Sequence, residues 1–513
     1  MRLYQLLEDQ PELIFSDLPD LMIMTLTADS LQVVPGSLFV AVRGSVSDGH
    51  NYILDAVTHG AIVVVGEEPD PGLGVPYLRV SDSRMALAHL AAAWHGNPAQ
   101  KLVMTGVTGT DGKTTTVNLI FNILQAAGLP AGMITTVNAV IGDRTLDTGL
   151  HVTTPDSLEV QGYLAQMVDE GMTHCVLEAT SHGLAQSRVA ACDFDLAVVT
   201  NITHEHLDYH GTFEAYRQAK SHLFTWLGEG ATKVGGPIKT AILNRDDSSY
   251  EYLQQITPVR QVTYGLGQGA DVTADEVVSS ADGLRFTVRG QGYSLPVHSG
   301  LIGNYNLGNC LAAFSTAVLG LGLPPETAVR GIARLKQVPG RMEVIDLGQP
   351  FTAMVDFAHT PNSLRQALET ARGLVEGRVI AVTGSAGLRD HEKRRMMAEI
   401  SAELADLTVL TAEDPRTESL EAILDEMAAG ARARGGVEGT TFVCIPDRGQ
   451  ALRFAVRQAG PGDLVISFGK GHEQSMCFGE VEYPWDDRVA LRSALAERLG
   501  VEGPSMPRLP TSS

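Results

Sequence analysis

The chain has 513 residues, of which 44% are hydrophobic and 19% are charged, and its formal net charge is −22 at pH 7. A chain of this length exceeds a single hydrophobic core, so about two to four domains are expected. The acidic balance argues against a general nucleic-acid binder, which normally carries a basic face, but it leaves room for a local phosphate pocket.

The cysteines and the N-terminal residues indicate in which cellular compartment the protein works. The five cysteines are scattered and show no CxxC spacing, which predicts free buried thiols in a reducing compartment. The opening MRLYQLLEDQPELIF carries acids where a secretory signal needs a basic start. No apolar run reaches the ~20 residues of a membrane span. These features predict a cytoplasmic protein without a membrane or nucleic-acid partner.

The first zone, residues 1–98, mixes short strands with one helix. Apolar runs at 37–42 and 61–67 predict strands, and the run from Arg84 to Trp94 predicts a helix. The zone also contains TADS at 27–30 and SDGHNY around residue 50. We expect a small α/β domain here.

The second zone, residues 99–336, alternates strands with helices. Residues 113–127 and 306–321 predict helices, and 271–299 predict short antiparallel strands with glycine turns. The apolar runs that predict buried strands are 102–107, 175–178, 196–201 and 240–244. This alternation is typical of a doubly wound parallel sheet.

The third zone, residues 337–513, repeats the alternation after the link KQVPGR. It predicts a second α/β sheet of Rossmann-like type, and we expect the tail after Val501 to be disordered. The predicted strands are 353–357, 379–384, 407–412, 442–445 and 464–469. The fold class is therefore α/β with three domains.

A glycine-rich loop at 105–116, TGVTGTDGKTTT, lies between a predicted buried strand and a predicted helix. Such a loop points backbone N–H groups and a helix N-terminus at phosphates, and Lys113 can reach the outer phosphates. The strict pattern GxxxxGK[ST] would need glycine where this chain has Val107. We predict an ATP site whose loop contacts are Gly109, Thr110, Asp111, Gly112, Lys113, Thr114 and Thr115.

The form GTDGKTT resembles the Mur ligase family, with Asp111 where asparagine is usual. The resemblance continues in family order through EATSHGLAQSRV (178–189), TNITHEHLDYHG (200–211), AYRQAKSHLF (215–224), GNYNLGNCLAA (303–313), VPGRMEV (338–344), VDFAHTPNSL (355–364) and GKGHE (469–473). TADS and SDGH resemble the members that extend UDP-N-acetylmuramoyl-L-alanyl-D-glutamate by the third residue of the peptidoglycan stem. The resemblance implies an ATP-dependent, monomeric ligase that works through an acyl phosphate.

A magnesium site is implied close to the loop. Glu178 ends an apolar strand, where a carboxylate is costly unless a cation holds it. The resemblance assigns Mg²⁺ ligation to Glu178, His206 and the hydroxyl of Thr115, although histidine is an unusual Mg²⁺ ligand. It also implies that CO₂ carbamylates Lys220, because a carbamate can bridge to Mg²⁺ whereas an ammonium would repel it. Lys113, His206 and Lys220 are the predicted catalytic residues.

The resemblance implies further contacts to the nucleotide and to the UDP-linked substrate. Asn309, Arg341, Asp356 and His359 are assigned to the nucleotide. Ser30, Thr153, Thr154, Ser181, Gln186 and Arg188 are assigned to the UDP substrate. Read from the residues alone, Asn306 and Asn309 could be helix caps, and TTPD at 153–156 could be a helix start.

The amino-acid acceptor is expected to bind in the third domain, through Arg389, Asp414, Arg416, Gly469 and Glu473. Arg416 of EDPR suits a distal carboxylate, but Glu413 and Asp414 place two acids beside it. This favours slightly a distal ammonium without a carboxylate, as in lysine or ornithine. The choice among meso-diaminopimelate, lysine and ornithine stays open.

Two rival functions are compatible with the phosphate loop. A folylpolyglutamate-synthetase-like ligase shares the loop but lacks the TADS and SDGH zone. A non-ligase P-loop ATPase would hydrolyse ATP without the UDP-linked substrate and the amino acid.

Overall fold

The computed structural model describes residues 1–8, 18–44, 47–148, 154–203, 207–230 and 232–512. These residues form an α/β molecule in which three large sheets follow one another along the chain. The boundaries at residues 98 and 336 stay a proposal.

The N-terminal sheet has four parallel strands in the order β1-β2-β3-β4. Its elements are α1 (Leu3–Leu7), β1 (Thr25–Thr27), β2 (Ser37–Val40), α2 (Ile53–His59), β3 (Ala61–Gly66), β4 (Tyr77–Arg79) and α3 (Ser83–Trp94). Leu38 and Val40 are buried on one face of the sheet, and Phe39 is buried on the other. Burial of both faces explains why these strands read as continuous apolar runs.

The central sheet has eleven strands in the order β15-β14-β13-β12-β11-β10-β5-β9-β6-β7-β8. Its strands are β5 (Val103–Thr108), β6 (Ala131–Ile134), β7 (Asn138–Ile141), β8 (Arg144–Asp147), β9 (His174–Glu178), β10 (Leu196–Val199), β11 (Thr240–Asn244), β12 (Arg260–Tyr264), β13 (Val272–Ser280), β14 (Gly283–Gly290) and β15 (Tyr293–Ser299). The strands from β12 to β6 run parallel, and antiparallel hairpins extend both edges.

Helices cover both faces of this central sheet. They are α4 (Lys113–Ala126), α5 (Ser157–Asp169), α6 (Ser181–Ala185), α7 (Leu207–His210), α8 (Phe213–Glu229), α9 (Tyr250–Ile256), α10 (Asn306–Ser315) and α11 (Pro325–Arg334). Val117 and Leu311 belong to the core on one face, and Leu164 and Leu223 to the core on the other. The two cores hold β5 rigidly between them.

The C-terminal sheet has six strands in the order β16-β17-β21-β18-β19-β20, with β16 antiparallel to β17 and the other pairs parallel. A separate hairpin pairs β22 with β23. The elements are β16 (Glu343–Val344), β17 (Thr352–Asp356), α12 (Pro361–Leu374), β18 (Val379–Thr383), α13 (His391–Leu404), β19 (Leu407–Leu410), α14 (Leu420–Ala433), β20 (Phe442–Cys444), α15 (Arg448–Gln458), β21 (Leu464–Phe468), β22 (Ser475–Phe478), β23 (Val481–Pro484) and α16 (Asp487–Leu499).

The predicted elements are confirmed with small shifts at their ends. The predicted helix over 306–321 becomes α10 followed by a π-helical turn at Thr316–Gly320. All five cysteines are free thiols, and four of them are buried. Among the described residues, no helix is both long and apolar enough to cross a bilayer.

The expectation of a disordered tail after Val501 is wrong for residues 502–512. Leu509 is buried in the C-terminal core, and the hydroxyls of Thr511 and Ser512 donate to Asp447. Asp447 also caps α15 by accepting from the Gln450 N–H. The proline-rich composition suggested disorder, but one buried leucine and two hydroxyl donors attach the tail to the C-terminal domain.

This docking predicts a stability effect. Leu509→Ala should lower the free energy of unfolding of the C-terminal domain by about 2–3 kcal/mol, because it removes a buried side chain and leaves a cavity. Val501→Ala, at a half-exposed position on the same tail, should change it by less than about 0.5 kcal/mol. Calorimetric unfolding of both variants tests the difference, and equal effects would contradict the docked tail.

Candidate active site

The phosphate loop, defined as residues 109–112, connects the carboxyl end of β5 to the N-terminus of α4. Gly109 and Gly112 have φ of +147° and +84°, a region that side chains rarely adopt. A Cβ atom on Gly109 would lie 1.9 Å from Thr200 Oγ1, and one on Gly112 would lie 2.2 Å from Asn309 Oδ1. Both positions therefore require glycine, and the loop opens onto the helix N-terminus that favours an anion.

Neighbouring segments hold the loop in shape. The Thr110 N–H donates to the Asn201 carbonyl at 2.7 Å, and the Asp111 N–H donates to Asn201 Oδ1 at 3.0 Å. The Thr200 hydroxyl donates to the Asp111 carbonyl at 2.6 Å. Thr110 Oγ1 and the Tyr216 hydroxyl are 3.0 Å apart. These contacts fix the loop without using Lys113.

Lys113 lies at the mouth of the loop, where its ammonium donates to the Thr110 carbonyl at 2.7 Å. The side chain is half-buried, so the charge is positioned against the loop but stays accessible. Such an ammonium can neutralise charge on the outer phosphates of a bound nucleotide.

Glu178, the last residue of β9, is 3% exposed and lies beside the loop. Its Oε2 atom accepts from the Thr114 hydroxyl at 2.9 Å and from the Thr136 N–H at 3.3 Å. The hydroxyl that contacts this carboxylate belongs to Thr114, and the assignment of the Thr115 hydroxyl to Mg²⁺ stays a prediction. Thr115 is buried in the same first turn of α4.

Lys220 is 1% exposed on α8, and its ammonium donates to the Gly109 carbonyl at 2.5 Å. The same nitrogen lies 4.5 Å from the centre of the Tyr216 ring. Burial of a lysine is costly unless other groups stabilise its charge, and here the Gly109 carbonyl and the Tyr216 ring lie against the ammonium.

Two predicted residues, Thr153 and His206, lie outside the described residues. The carbonyl and hydroxyl oxygens and the carboxylate that surround the loop suit a hard cation such as Mg²⁺. Among the described residues, no group of three or more histidine, cysteine or acidic side chains is close enough to hold a metal alone.

A polar cluster lies next to Glu178 at the start of α6. Thr154 is fully buried, with its hydroxyl 2.9 Å from that of Thr180, and Ser181 is buried at the start of the helix. Arg188 donates through two nitrogens to Gln186 Oε1, at 3.1 and 2.8 Å. Burial lowers the pKa of Arg188, which still carries a positive charge at neutral pH.

Ser30, the predicted uridine-side residue, begins a short 3₁₀ turn in the N-terminal domain. Asp29 caps this turn by accepting from the Leu31 N–H at 2.9 Å. Leu31 is 91% exposed, so an apolar side chain stands next to Ser30 at the surface. Asp48 caps the second such turn of this domain, where it lies 2.6 Å from His50 Nδ1.

The residues predicted to contact the nucleotide come from two domains. Asn309 accepts from Thr116 at 3.4 Å and donates to Asn306 Oδ1 at 2.9 Å. The alternative that Asn306 and Asn309 are helix caps is wrong, because both lie within α10, whose N-cap is Tyr305. Asp356 is buried and accepts from the Met342 and Ala358 N–H groups. The pKa of Asp356 lies above its ordinary value, because the raising effect of burial exceeds the lowering effect of the nearby Arg341 charge.

The Phe357 ring contacts both Arg341 and His359. The Arg341 guanidinium lies 4.3 Å from the centre of the Phe357 ring, and the His359 ring lies 4.6 Å from the same centre. Tyr305, which directly precedes α10, packs against the core that contains Met342 and Ala358, so the start of α10 faces the C-terminal domain. The predicted nucleotide residues are therefore close in space.

The predicted acceptor residues follow the carboxyl ends of β19 and β21. Gly469 has φ of +99°, and a Cβ atom there would lie 2.0 Å from Glu413 Oε2, so this position also requires glycine. Asp414 and Arg416 both have positive φ, of 41° and 55°. Such backbone conformations are strained for non-glycine residues and cluster at functional sites. Arg389 is exposed on the preceding loop.

Sequence reasoning missed several residues that shape the site. Asn201 and Tyr216 hold the phosphate loop, and both lie in motifs that were quoted without a role for them. Lys470 is fully buried and pairs with both Asp414 and Glu473, which the GKGHE motif alone did not indicate.

Comparisons with known proteins agree across the chain. The model of the Mur ligase middle domain matches residues 107–317, that of the Mur ligase glutamate ligase domain matches 340–471, and that of the Mur ligase family catalytic domain matches 23–95. A UDP-N-acetylmuramyl-tripeptide synthetase of Roseiflexus sp. (strain RS-1) is 45% identical over 93% of this chain and 94% of the relative.

Two further relatives carry a more specific name. A UDP-N-acetylmuramoyl-L-alanyl-D-glutamate–2,6-diaminopimelate ligase of Geobacillus kaustophilus (strain HTA426) is 43% identical over 93% of this chain and 95% of the relative. A solved structure of an enzyme with this name is 30% identical, with a TM-score of 0.67, and covers 96% of this chain and 99% of its own.

The loop geometry predicts the effect of one added methyl group. Gly112→Ala should weaken ATP binding about tenfold or more, because its Cβ collides with Asn309 and its backbone is strained. Gly308→Ala is the matched control, since a Cβ there meets nothing within 4 Å and alanine favours a helix. Calorimetric titration with ATP should show normal affinity for the control, and normal affinity for Gly112→Ala would contradict the assignment.

Proposed function

The chain belongs to the Mur ligase family, and we propose that it adds the third amino acid of the peptidoglycan stem to UDP-N-acetylmuramoyl-L-alanyl-D-glutamate. It is an ATP-dependent ligase, and its added residue is a diamino acid in this proposal. The observation that carries the proposal is the phosphate loop with Glu178 and Lys220 buried against it. The names of the relatives at 43–45% identity support the same substrate.

The first step transfers the γ-phosphoryl group of ATP to the γ-carboxylate of the D-glutamate residue. Lys113 and the N-terminus of α4 offset the charge that spreads over the transferring group. The bond between the β–γ bridging oxygen and the γ-phosphorus breaks, ADP leaves, and an acyl phosphate forms on the substrate. No nucleophile from the protein is required.

The second step forms the amide bond. The free amine of the acceptor attacks the acyl carbon, phosphate leaves with the former carboxylate oxygen, and the amine loses a proton. Thr154, Ser181, Gln186 and Arg188 lie beside Glu178, where hydroxyl and guanidinium donors can hold the phosphate or carboxylate oxygens of the UDP substrate. Ser30 is proposed to contact the uridine end.

Bound Mg²⁺ would polarise the phosphoryl oxygens and hold them in place. We propose that Glu178, the Thr114 and Thr115 hydroxyls, His206 and carbamylated Lys220 hold it. The buried position of Lys220 beside the phosphate loop supports this, because CO₂ would convert its ammonium into an anion that a metal can neutralise.

The acceptor must be brought to the acyl phosphate from another domain. Arg389, Asp414, Arg416, Gly469 and Glu473 lie beyond the 336–341 link, and we propose that the domains move about this link during the cycle. We also propose that Asn309, Arg341, Asp356 and His359 contact the nucleotide across the domain boundary. A cytoplasmic monomer is the proposed state, which matches soluble nucleotide-linked substrates.

The reaction itself is tested by product mass. Pure protein is incubated with ATP, Mg²⁺ and UDP-N-acetylmuramoyl-L-alanyl-D-glutamate, and meso-diaminopimelate, lysine and ornithine are supplied separately. We expect one UDP-linked tripeptide and one phosphate per turnover, and phosphate release that needs both substrates. Phosphate release that ignores both substrates would favour a plain ATPase.

Lys113→Ala should lower kcat for ligation by about 10³-fold, because positioned cationic groups supply much of phosphoryl-transfer catalysis. Lys101→Ala, at an exposed surface lysine, should retain the rate. Steady-state phosphate release measures both, and a fully active Lys113→Ala variant would overturn the role of the loop.

Carbamylation of Lys220 predicts a dependence on CO₂. Removal of CO₂ and bicarbonate should lower activity, and their return should restore it. Native mass spectrometry should show one added CO₂ in the wild type but not in Lys220→Gln, whereas Lys101→Gln should keep it. An unchanged mass at high bicarbonate would reject the modification.

A further inference from the structure

Four ionisable side chains lie together where β19 and β21 end. Glu413 and Asp414 follow β19, and Lys470 and Glu473 follow β21. Glu413, Asp414 and Lys470 are buried, so their charges are poorly screened by water. Asp414 and Arg416 are both hydrogen-bonded to the backbone of Cys477, so the charges of this cluster lie close to Arg416.

Lys470 is the centre of this cluster. Its ammonium donates to Asp414 Oδ2 at 2.8 Å and also pairs with Glu473, and its side chain is fully buried. Burial alone would lower the pKa of Lys470, but the carboxylates of Glu473 and Asp414 raise it above its ordinary value. The ammonium is therefore charged at neutral pH.

Asp414 is occupied on both carboxylate oxygens. Oδ1 accepts from the Cys477 N–H at 2.8 Å, and Oδ2 accepts from Lys470. A carboxylate held in this way offers little to a substrate ammonium. The sequence argument for a distal ammonium counted Asp414 as an unneutralised charge, and this premise is wrong.

Arg416 is held by its backbone, not by an acid. Its N–H donates to the Cys477 carbonyl at 3.1 Å, and its carbonyl accepts from the Gly479 N–H at 2.7 Å. Its side chain is half-exposed, and within the described ranges no carboxylate forms an ion pair with it. Its guanidinium is thus available for a bidentate contact to a carboxylate.

Glu413 is a buried carboxyl group beside this cluster. Burial raises its pKa, and among the described residues its Oε2 atom has no hydrogen-bond partner. This buried oxygen, next to Gly469, can accept from the ammonium that accompanies a distal carboxylate.

We propose that Lys470 determines acceptor specificity by neutralising Asp414, so that Arg416 stays available to a distal carboxylate. The site then selects a diamino acid with two carboxylates, such as diaminopimelate, over lysine and ornithine. This inference rests on the proposed function, because it concerns the amino acid joined by that reaction.

The test uses charge changes of opposite sign. The ratio of kcat/KM for meso-diaminopimelate to kcat/KM for lysine is measured in the wild type, Lys470→Met, Asp414→Asn and the double variant. Lys470→Met should lower the ratio about tenfold, since the carboxylates of Asp414 and Glu473 both lose their cation and the cluster beside Arg416 becomes more negative by one unit. Asp414→Asn should raise the ratio, and the double variant should return it to within about threefold of the wild type.

Controls separate this role from a structural one. Lys101→Met changes the net charge equally at a distant surface and should leave the ratio unchanged. KM for ATP should stay constant in all variants, whereas general damage would move it. If Lys470→Met does not fold, Asp414→Asn and the double variant decide the question.

The outcomes are distinguishable. Three results would overturn the inference and leave the ligase reaction intact. They are a wild type that prefers lysine, a ratio that does not respond to Lys470→Met, and a ratio that shifts in the same direction in both single variants. A wild type that joins none of the three amino acids to the UDP substrate would instead refute the proposed function.

Discussion

The phosphate site depends on the register of three adjacent parallel strands, β9, β5 and β10. Val107 pairs with Glu178 and Thr108 pairs with Val199, so all three strands end at one edge. The loop after β5 therefore meets the carboxylate that ends β9 and the Thr200–Asn201 segment that follows β10. A shift of one residue would turn Glu178 to the opposite face of the sheet and remove it from Thr114.

The acceptor site likewise depends on parallel strands that end at one edge of a sheet. In the C-terminal sheet, β18 and β21 pair in parallel, and β19 lies beside β18. Arg448, which is fully buried, donates to the Ala412 carbonyl at 3.0 Å and to the Phe468 carbonyl at 2.6 Å. It therefore ties together the ends of the two strands that carry EDPR and GKGHE. Its charge is balanced by Asp487, and such a buried pair is costly to break from one side.

Sequence patterns predicted the strands well because parallel strands buried on both faces are continuous apolar runs. They placed Glu178 and Lys220 near the loop because ordered motifs resembled a known family. They did not predict the pairing of Lys470 with Asp414, because 56 residues separate them and only the fold brings them together. They did not predict the hydrogen bond from Thr114 to Glu178, because it depends on the direction of the first turn of α4.

The central claim is that the carboxylate of the UDP-linked glutamate becomes an acyl phosphate before the amide forms. The most direct measurement labels both oxygens of that γ-carboxylate with ¹⁸O and examines the phosphate released in the presence of ATP, Mg²⁺ and acceptor. The account predicts one labelled oxygen in each phosphate that is released with a tripeptide. Phosphate without the label, formed together with the tripeptide, would contradict it.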